Sequence, residues 1–351
     1  MNNLFKLRGS LSSQQNILLS IVGVLLLLGL WTLLAHLKSE VRVTQIDQEN
    51  LEIADRSYYD SDSILLDNEK ELAQKTDAEL AKFGLKKKRV YAVLPSPMSV
   101  IQSFVNPARN YTLEYKKKVK NEEKAEKPDA PEFIYTMEKK KVTFLEYILV
   151  NSKKSVTLNL LGYLVAISIS IPLGFALGLI PLFRGLFSRI FDSFRFIPLT
   201  AVTGIFVIWL GLGNEMKVSF LAFGIIVYLV PVVVQRIDEV KDVYLKTVFT
   251  LGATNWQTIK SVYLPAVISK LSDDIRVLTA ISWTYITIAE MLNRSGGIGE
   301  AIWLARRQSR IDIAFAVLIV IVIIGILQDR IFLWLDKMFF SYKYVERNTH
   351  K

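Results

Sequence analysis

Apolar residues of this chain gather in continuous runs instead of the short periodic stripes that are typical of a soluble domain. A hydrocarbon core about 30 Å thick needs roughly 20 helical residues to cross it. The pattern therefore predicts an all-α membrane protein with six transmembrane helices. The predicted spans are Ile17–Ala35, Thr157–Leu182, Arg195–Leu212, Lys217–Val234, Ile275–Met291 and Ile313–Leu333.

Basic residues orient these spans. The first run is longer than the apolar region of a signal peptide and is interpreted as an uncleaved span, with Lys6 and Arg8 marking a cytoplasmic N-terminus. This orientation puts the C-terminus inside. It gives a first span within 1–36, an extracytoplasmic insert at 37–154, a core at 155–340 and a tail at 341–351. The predicted cytoplasmic loops are 183–194 and 235–273, and the outer ones are 212–217 and 292–312.

Composition and charge narrow the function. The net charge is +10, but residues 37–154 hold 22 Lys/Arg against 20 Asp/Glu, so the surplus lies in the loops between spans. That distribution is typical of a membrane protein and not of a nucleic-acid binder. The chain has no Cys, and its two His are His36 and His350, which argues against a metal or catalytic centre. No phosphate-binding or hydrolase motif is present either, so we expect no enzyme activity and energy from a gradient or a partner.

The insert is highly charged with interleaved signs. Asn68–Leu85 has helical spacing, with Gly84 where a helix would end, and Lys116–Lys127 is expected to form a solvated loop or helix. Two roles remain open for the insert, a solubilising surface or a dock for an extracytoplasmic partner.

The most informative segment is Lys246–Pro265 (KTVFTLGATNWQTIKSVYLP), in the long cytoplasmic loop. We expect a short helix at Val240–Thr250, a break at Gly252 and a second helix at Asn255–Tyr263. Leu264–Pro265 should close the segment, because the residue before a proline avoids the helical region. Such a pair of helices would form a knob that another protein can grip.

This segment resembles the signature loop of permease subunits of ATP-binding cassette (ABC) importers. The family pattern is E-A-A, three residues, Gly, nine residues and I-x-L-P. Gly252, Val262, Leu264 and Pro265 keep that spacing, and 250–253 looks like the T-L-G-A version. The E-A-A positions hold Lys246, Thr247 and Val248 instead, so contacts of the family's Glu do not transfer.

Other segments resemble the nitrate/sulfonate/taurine branch of the same family. They are Leu94–Pro97 with the amphipathic Met98–Val105, Arg195–Pro198 leading to Ile208–Gly213, and Ala289–Met291 leading to Ser295–Gly299. The resemblance implies a type I ABC importer permease (MetI-like) core, with an enlarged extracytoplasmic insert between the first and second spans.

The resemblance also implies partners. Two ATPase subunits would carry ATP and Mg²⁺, so this chain would bind no cofactor. A second permease subunit, expected to be a copy of this chain, and an extracytoplasmic solute-binding protein would complete an inner-membrane importer for a small anion. Trp256 is either an anchor for the ATPase or packs within its own loop. The residues implied at the ATPase contact are Thr247, Thr250, Leu251, Gly252, Ala253, Thr254, Trp256, Leu264 and Pro265.

The fifth span holds the candidates for the translocation pathway, Ser282, Thr284, Thr287 and Glu290. An ionisable group at membrane depth is a functional candidate, so Glu290 either lines the pathway or pairs with Arg294 at i+4. The hydroxyl residues either face the pathway or join helix to helix.

Two other functions compete with the importer subunit. A secondary transporter or channel would need no ATPase and would carry ionisable groups in mid-span. A membrane-anchored sensor would use 37–154 as its sensing domain and would need only one or two plain anchors.

Overall fold

The computed structural model describes residues 13–45, 85–90, 94–105, 111–120, 133–293 and 295–343. The N-terminal part contains α1 (Ser13–Leu37), β1 (Glu40–Gln45), β2 (Leu85–Val90), α2 (Pro97–Val105), β3 (Tyr111–Lys120) and β4 (Phe133–Val142). The remainder contains α3 (Phe144–Leu179), α4 (Pro181–Phe194), α5 (Leu199–Leu210), α6 (Asn214–Asp238), α7 (Asp242–Thr250), α8 (Asn255–Thr258), a π-helical turn (Ile259–Tyr263), α9 (Leu264–Leu292), α10 (Ile298–Arg307) and α11 (Ile311–Phe339).

These elements form two compact units. The first comprises residues up to Tyr147 together with Leu304–Ala316, and an aromatic cluster lies at its centre. Phe144 is fully buried, and its ring lies 5.2 Å from that of Tyr111. The indole of Trp31 in α1 donates a hydrogen bond to the carbonyl of Pro95 at 2.9 Å, which holds the segment before α2 against the first span. The predicted amphipathic helix at Met98–Val105 is present as α2.

Two antiparallel strand pairs add β structure that was not predicted for the insert. β1 pairs with β2, and β3 pairs with β4 from Tyr111 opposite Val142 to Lys120 opposite Phe133. The predicted loop or helix at Lys116–Lys127 is therefore wrong for residues 116–120, which extend β3. Apolar residues alternate at 111, 113, 115 and 119, which is the period of a strand. The predicted helix at Asn68–Leu85 lies outside the described residues except for Leu85, which begins β2.

The second unit is a bundle of long helices. Counted over both units, five helices of the described chain are long and apolar enough to cross a membrane, namely α1, α3, α6, the continuous helix from Asn255 to Leu292 and α11. Glycines bring α3 close to α6, since a Cβ at Gly162 would lie 2.7 Å from Leu221 and one at Gly178 would lie 2.6 Å from Ile237. The residue numbers rise in the same direction along the two helices, from Gly162 beside Leu221 to Gly178 beside Ile237. The helices α3 and α6 therefore run parallel.

The parallel arrangement identifies the third span. Two helices that run side by side in the same direction require the chain between them to return across the membrane. That chain is α4 and α5, which are bent by 104° relative to each other. We therefore interpret the bent pair as one broken span, which makes six.

This broken span corrects two predictions. Residues 183–194 are helical and do not form a loop, and Arg195–Leu212 is not one helix. The reason is Pro198, which has no N–H to donate and keeps Ile197 out of the helical conformation. It is the N-cap residue of α5, with extended backbone angles of −62° and 117°.

The fifth span also differs from its prediction. Leu264–Pro265 does not close the preceding segment, because helical structure continues from Asn255 to Leu292. Leu264 keeps helical backbone angles, and Pro265 lies in the first turn of α9, directly after the π-helical turn. Within this continuous helix Pro265 has no N–H to donate to the preceding turn, and the backbone is π-helical just before it.

We expect Gly174→Ala to lower the free energy of unfolding by about 1–3 kcal/mol, because an added methyl overpacks the contact between α3 and α6. A Cβ at Gly174 would lie 2.5 Å from the Cβ of Val233. Gly325→Ala in α11 is the matched control, since a Cβ there meets nothing within 4 Å. Thermal unfolding in detergent would measure both, and equal midpoints would contradict the close contact.

Candidate functional site

The predicted knob is present as two short helices joined by a tight turn, and we call residues 242–261 the coupling elbow. Gly252 follows α7 with a φ of +76°, a conformation that favours glycine. The amide of Gly252 donates to the carbonyl of Phe249, and that of Ala253 donates to Val248, both at 3.0 Å. This pair of bonds is a Schellman motif, which ends α7 and satisfies its last carbonyls.

A capping box starts the second helix immediately afterwards. The hydroxyl oxygen of Thr254 accepts the amide of Gln257 at 3.4 Å, and the side chain of Gln257 accepts the amide of Thr254 at 2.8 Å. The end of α7 and the start of α8 are thus both closed by hydrogen bonds within Val248–Gln257. The elbow is therefore a rigid unit whose shape depends on Gly252 and Thr254.

Large apolar side chains of the elbow face outward. Leu251 is 80% exposed and Trp256 is 72% exposed, and Val243, Tyr244 and Phe249 are exposed beside them. Because its indole is exposed, Trp256 does not pack within its own loop. Exposed apolar surface of this kind marks a contact with a partner protein or with the membrane. The hydroxyls of Thr247 and Thr250 instead donate to carbonyls of their own helix, Val243 and Thr247 respectively.

An ion-pair network braces the base of the elbow. Arg236 at the end of α6 donates to both carboxylate oxygens of Asp274 in α9, at 2.6 and 2.7 Å. It also donates to Glu239 at 2.8 Å, and these hydrogen bonds hold the pKa of the Glu239 carboxyl below its ordinary value. Lys270 adds a contact to Glu239 at 3.2 Å. Sequence reasoning missed this network, for which the only signal was the presence of both signs of charge in 235–273.

The predicted pathway residues do not share one environment. Ser282 and Glu290 are fully buried, whereas Thr284 is exposed and Thr287 is half-buried. Ser282 donates to Asn159 of α3 at 2.9 Å, which joins two helices of the bundle. The four residues therefore do not form a single polar stripe along α9.

Glu290 is the centre of a buried polar cluster. Its carboxylate accepts the hydroxyl of Ser155 at 2.6 Å and the amide of Gly299 at 2.9 Å. The turn at Gly296–Gly299 wraps around it so closely that a Cβ on Gly297 would lie 2.2 Å from the carboxyl carbon. These contacts join α3, α9 and the start of α10, and they leave Glu290 no exposed surface in this chain.

Other buried groups hold the same turn. Asn151 accepts the amide of Gly297 at 2.7 Å, and Lys217, which is fully buried, donates to the carbonyl of Gly296 at 2.9 Å. Sequence reasoning did not identify Asn151, Ser155 or Lys217, although polar residues at the ends of apolar runs are a recognisable signal. The predicted partner Arg294 lies outside the described residues.

Comparisons with known proteins identify the chain. Residues 170–340 match the family described as binding-protein-dependent transport system inner membrane component. A putative ABC transporter permease of Methanocaldococcus jannaschii is 31% identical over 186 residues, which cover 52% of this chain and 68% of the relative. The chain belongs to this family. It is a multi-pass inner-membrane permease of the ABC transporter class, and the prediction of an ABC importer permease is confirmed.

Other relatives agree with the predicted branch of this ABC permease family. The taurine transport system permease of Escherichia coli is 27% identical, and the match covers 50% of this chain and 64% of that protein. The nitrate import permease of Synechocystis is 27% identical, with 52% and 67% covered. Among solved structures, an inward-facing MetNI methionine ABC transporter aligns with a TM-score of 0.49 and 17% identity, over 55% of this chain and 96% of that one.

Replacing Glu290 with Leu should lower the free energy of unfolding of the permease by about 1–3 kcal/mol, because Ser155 and Gly299 would keep buried donors without an acceptor. Glu290→Gln retains one acceptor oxygen and should lose less. Thr284→Val on the exposed side of the same helix is the control. Thermal unfolding of the three variants tests this, and a Glu290→Leu protein as stable as Thr284→Val would remove Glu290 from its structural role.

Proposed function

We propose that this permease imports a small anion, driven by ATPase subunits that grip the coupling elbow. The observation that carries the proposal is the exposed apolar surface around Leu251 and Trp256, held on a rigid turn between two spans. Nothing in the described residues suggests that the chain itself performs bond chemistry. ATP and Mg²⁺ would therefore reside on the partner, and this chain would convert the partner's movement into tilting of its spans.

The assembly follows from the same elements. Two ATPase subunits would each hold one elbow of a pair of permeases. A second copy of this chain would cover apolar surface on α5, where Ile208 is 82% exposed and Trp209 is 74% exposed. An extracytoplasmic binding protein would deliver the solute, with both termini of the permease in the cytoplasm.

The relatives support the class of solute. The names of two of them state taurine transport and nitrate import, and both solutes carry an anionic oxygen-rich group. A small oxyanion or sulfonate is therefore the proposed cargo of this chain.

Trp256→Ala should weaken binding of the proposed ATPase subunit by about 30-fold or more, because a buried aromatic anchor contributes about 2 kcal/mol or more at an interface. The measurement is co-purification and affinity of the two purified proteins in nanodiscs. Trp334→Ala is the matched control, since that indole is also exposed but lies on α11.

Gly252→Pro gives a second, independent test of the elbow. Proline has neither the positive φ nor the N–H that Gly252 uses, so the Schellman motif would be lost. We expect the ATPase to dissociate while the melting temperature of the permease itself changes little. Unchanged ATPase binding in both Trp256→Ala and Gly252→Pro would overturn the proposed docking surface.

A further inference from the structure

A half-open cavity lies at the break in the third span, and neither the elbow nor the Glu290 cluster explains it. It has a volume of about 290 Å³ and lies where α4 ends and α5 begins, against α6 and α9. Its polar lining residues are Arg195, Thr200, Tyr228 and Tyr285. Ligand pockets for drug-sized molecules measure about 300–1,000 Å³, so this cavity suits a ligand of a few heavy atoms.

The cavity lies at the middle of the bundle. Its α6 residues include Gly224 and Tyr228, which are about 15 and 21 Å along the helix from Asn214, at a rise of about 1.5 Å per residue. Asp238 is about the same distance beyond them. A helix of this length crosses the hydrocarbon core, so the cavity is far from both ends of the span.

Charged side chains at that depth need an explanation. Arg195 donates to Asp192 at 2.5 Å, yet the two side chains remain 40% and 51% exposed. Lipid would oppose such exposure strongly, and ionisable groups within membrane segments face the bundle interior or a water-filled cavity. This side of the broken span therefore faces water.

Arg195 also retains capacity to bind a ligand. A guanidinium has five N–H donors, and Asp192 is the one acceptor that the structure places on it among the described residues. Arg184 differs in that both of its terminal nitrogens donate to Asp238, at 2.9 and 2.6 Å, and that it does not line this cavity. Thr200 and Tyr228 add hydroxyls to the same cavity, and such groups donate to oxyanions.

We propose that this cavity is an anion-binding site within the translocation pathway, where Arg195 receives the sulfonate or nitrate-like group of the solute. The inference rests on the proposed import of a small anion and assigns the residues that contact it in the membrane. Opposite charge at mid-depth lowers the barrier for an anion, and the pair with Asp192 keeps the guanidinium from holding the solute too tightly to release it.

The absence of Cys from the sequence allows a direct test. Thr200→Cys places a single thiol in the cavity of the full chain, assembled with its ATPase in nanodiscs. Two methanethiosulfonate reagents then probe it, ethylsulfonate with a negative charge and ethyltrimethylammonium with a positive one. The ratio of the two modification rates on this chain reports the electrostatic potential at the thiol. The anionic reagent carries a sulfonate and therefore also mimics the solute.

Adding Arg195→Gln should lower the ratio of anionic to cationic rate by at least about tenfold, as expected for removing a charge within several ångströms of the thiol. Arg195→Lys should keep most of the ratio, because it retains the positive charge. Arg189→Gln is the matched control, because Arg189 is an exposed arginine of α4 that does not line the cavity. Nitrate should slow labelling in the parent and not in Arg195→Gln.

Either of two outcomes would overturn the site. One is a thiol at position 200 that neither reagent reaches, since the cavity would then be closed to water. The other is an equal ratio in the Arg195→Gln and Arg189→Gln backgrounds. Labelling needs no ATP hydrolysis, so the two proposals are tested separately. If the coupling elbow does not bind the ATPase, that binding is absent while the ratio of anionic to cationic labelling rates is unchanged.

Discussion

The close parallel contact between α3 and α6 is the constraint on which the rest of the second unit depends. It exists because Gly174 and Gly178 present no Cβ where Val233 and Ile237 approach. Small residues at such crossings are the usual means of association in lipid, where no hydrophobic force draws helices together. Two parallel neighbours force the chain between them back across the membrane. That return path is the broken span, so the glycines of α3 determine where α4 and α5 lie.

The break at Pro198 changes the position of Arg195 relative to α6. A continuous helix from Arg195 would have put that residue at a membrane boundary, as the sequence suggested. With the crossing divided at Pro198, Arg195 lies beside the middle of α6, and the boundary is taken by Arg184 in its pair with Asp238. The break at Pro198 thus leaves a partly exposed arginine beside the middle of α6 instead of at its end. Mid-span charge was taken as the mark of a secondary transporter, but here it occurs in an ABC permease.

Much of the fold could be predicted, because continuous apolar runs indicate transmembrane helices and the residue spacing around Gly252 indicates a turn. The elbow in particular follows from local rules, since both a Schellman motif and a capping box are encoded by neighbouring residues. The hairpins were missed because lysines obscure the alternation along β3. The contact of Glu290 with Ser155 could not be predicted, because the two residues are 135 positions apart in the chain.

Continuity of the helix after the elbow links the two functional regions. The segment from Asn255 to Leu292 is unbroken over 38 residues, about 57 Å at the rise of an α-helix. Trp256 is near one end and Glu290 is near the other. Because this helix is continuous, a partner that displaces Trp256 would also act on the far end of the helix, where Ser155 and Gly299 bind Glu290. Buried carboxylate contacts are costly to leave unmade, so the turn at Gly296–Gly299 must travel with α9 or exchange these bonds for others. The Glu290 contacts thus connect α9 directly to the turn at Gly296–Gly299.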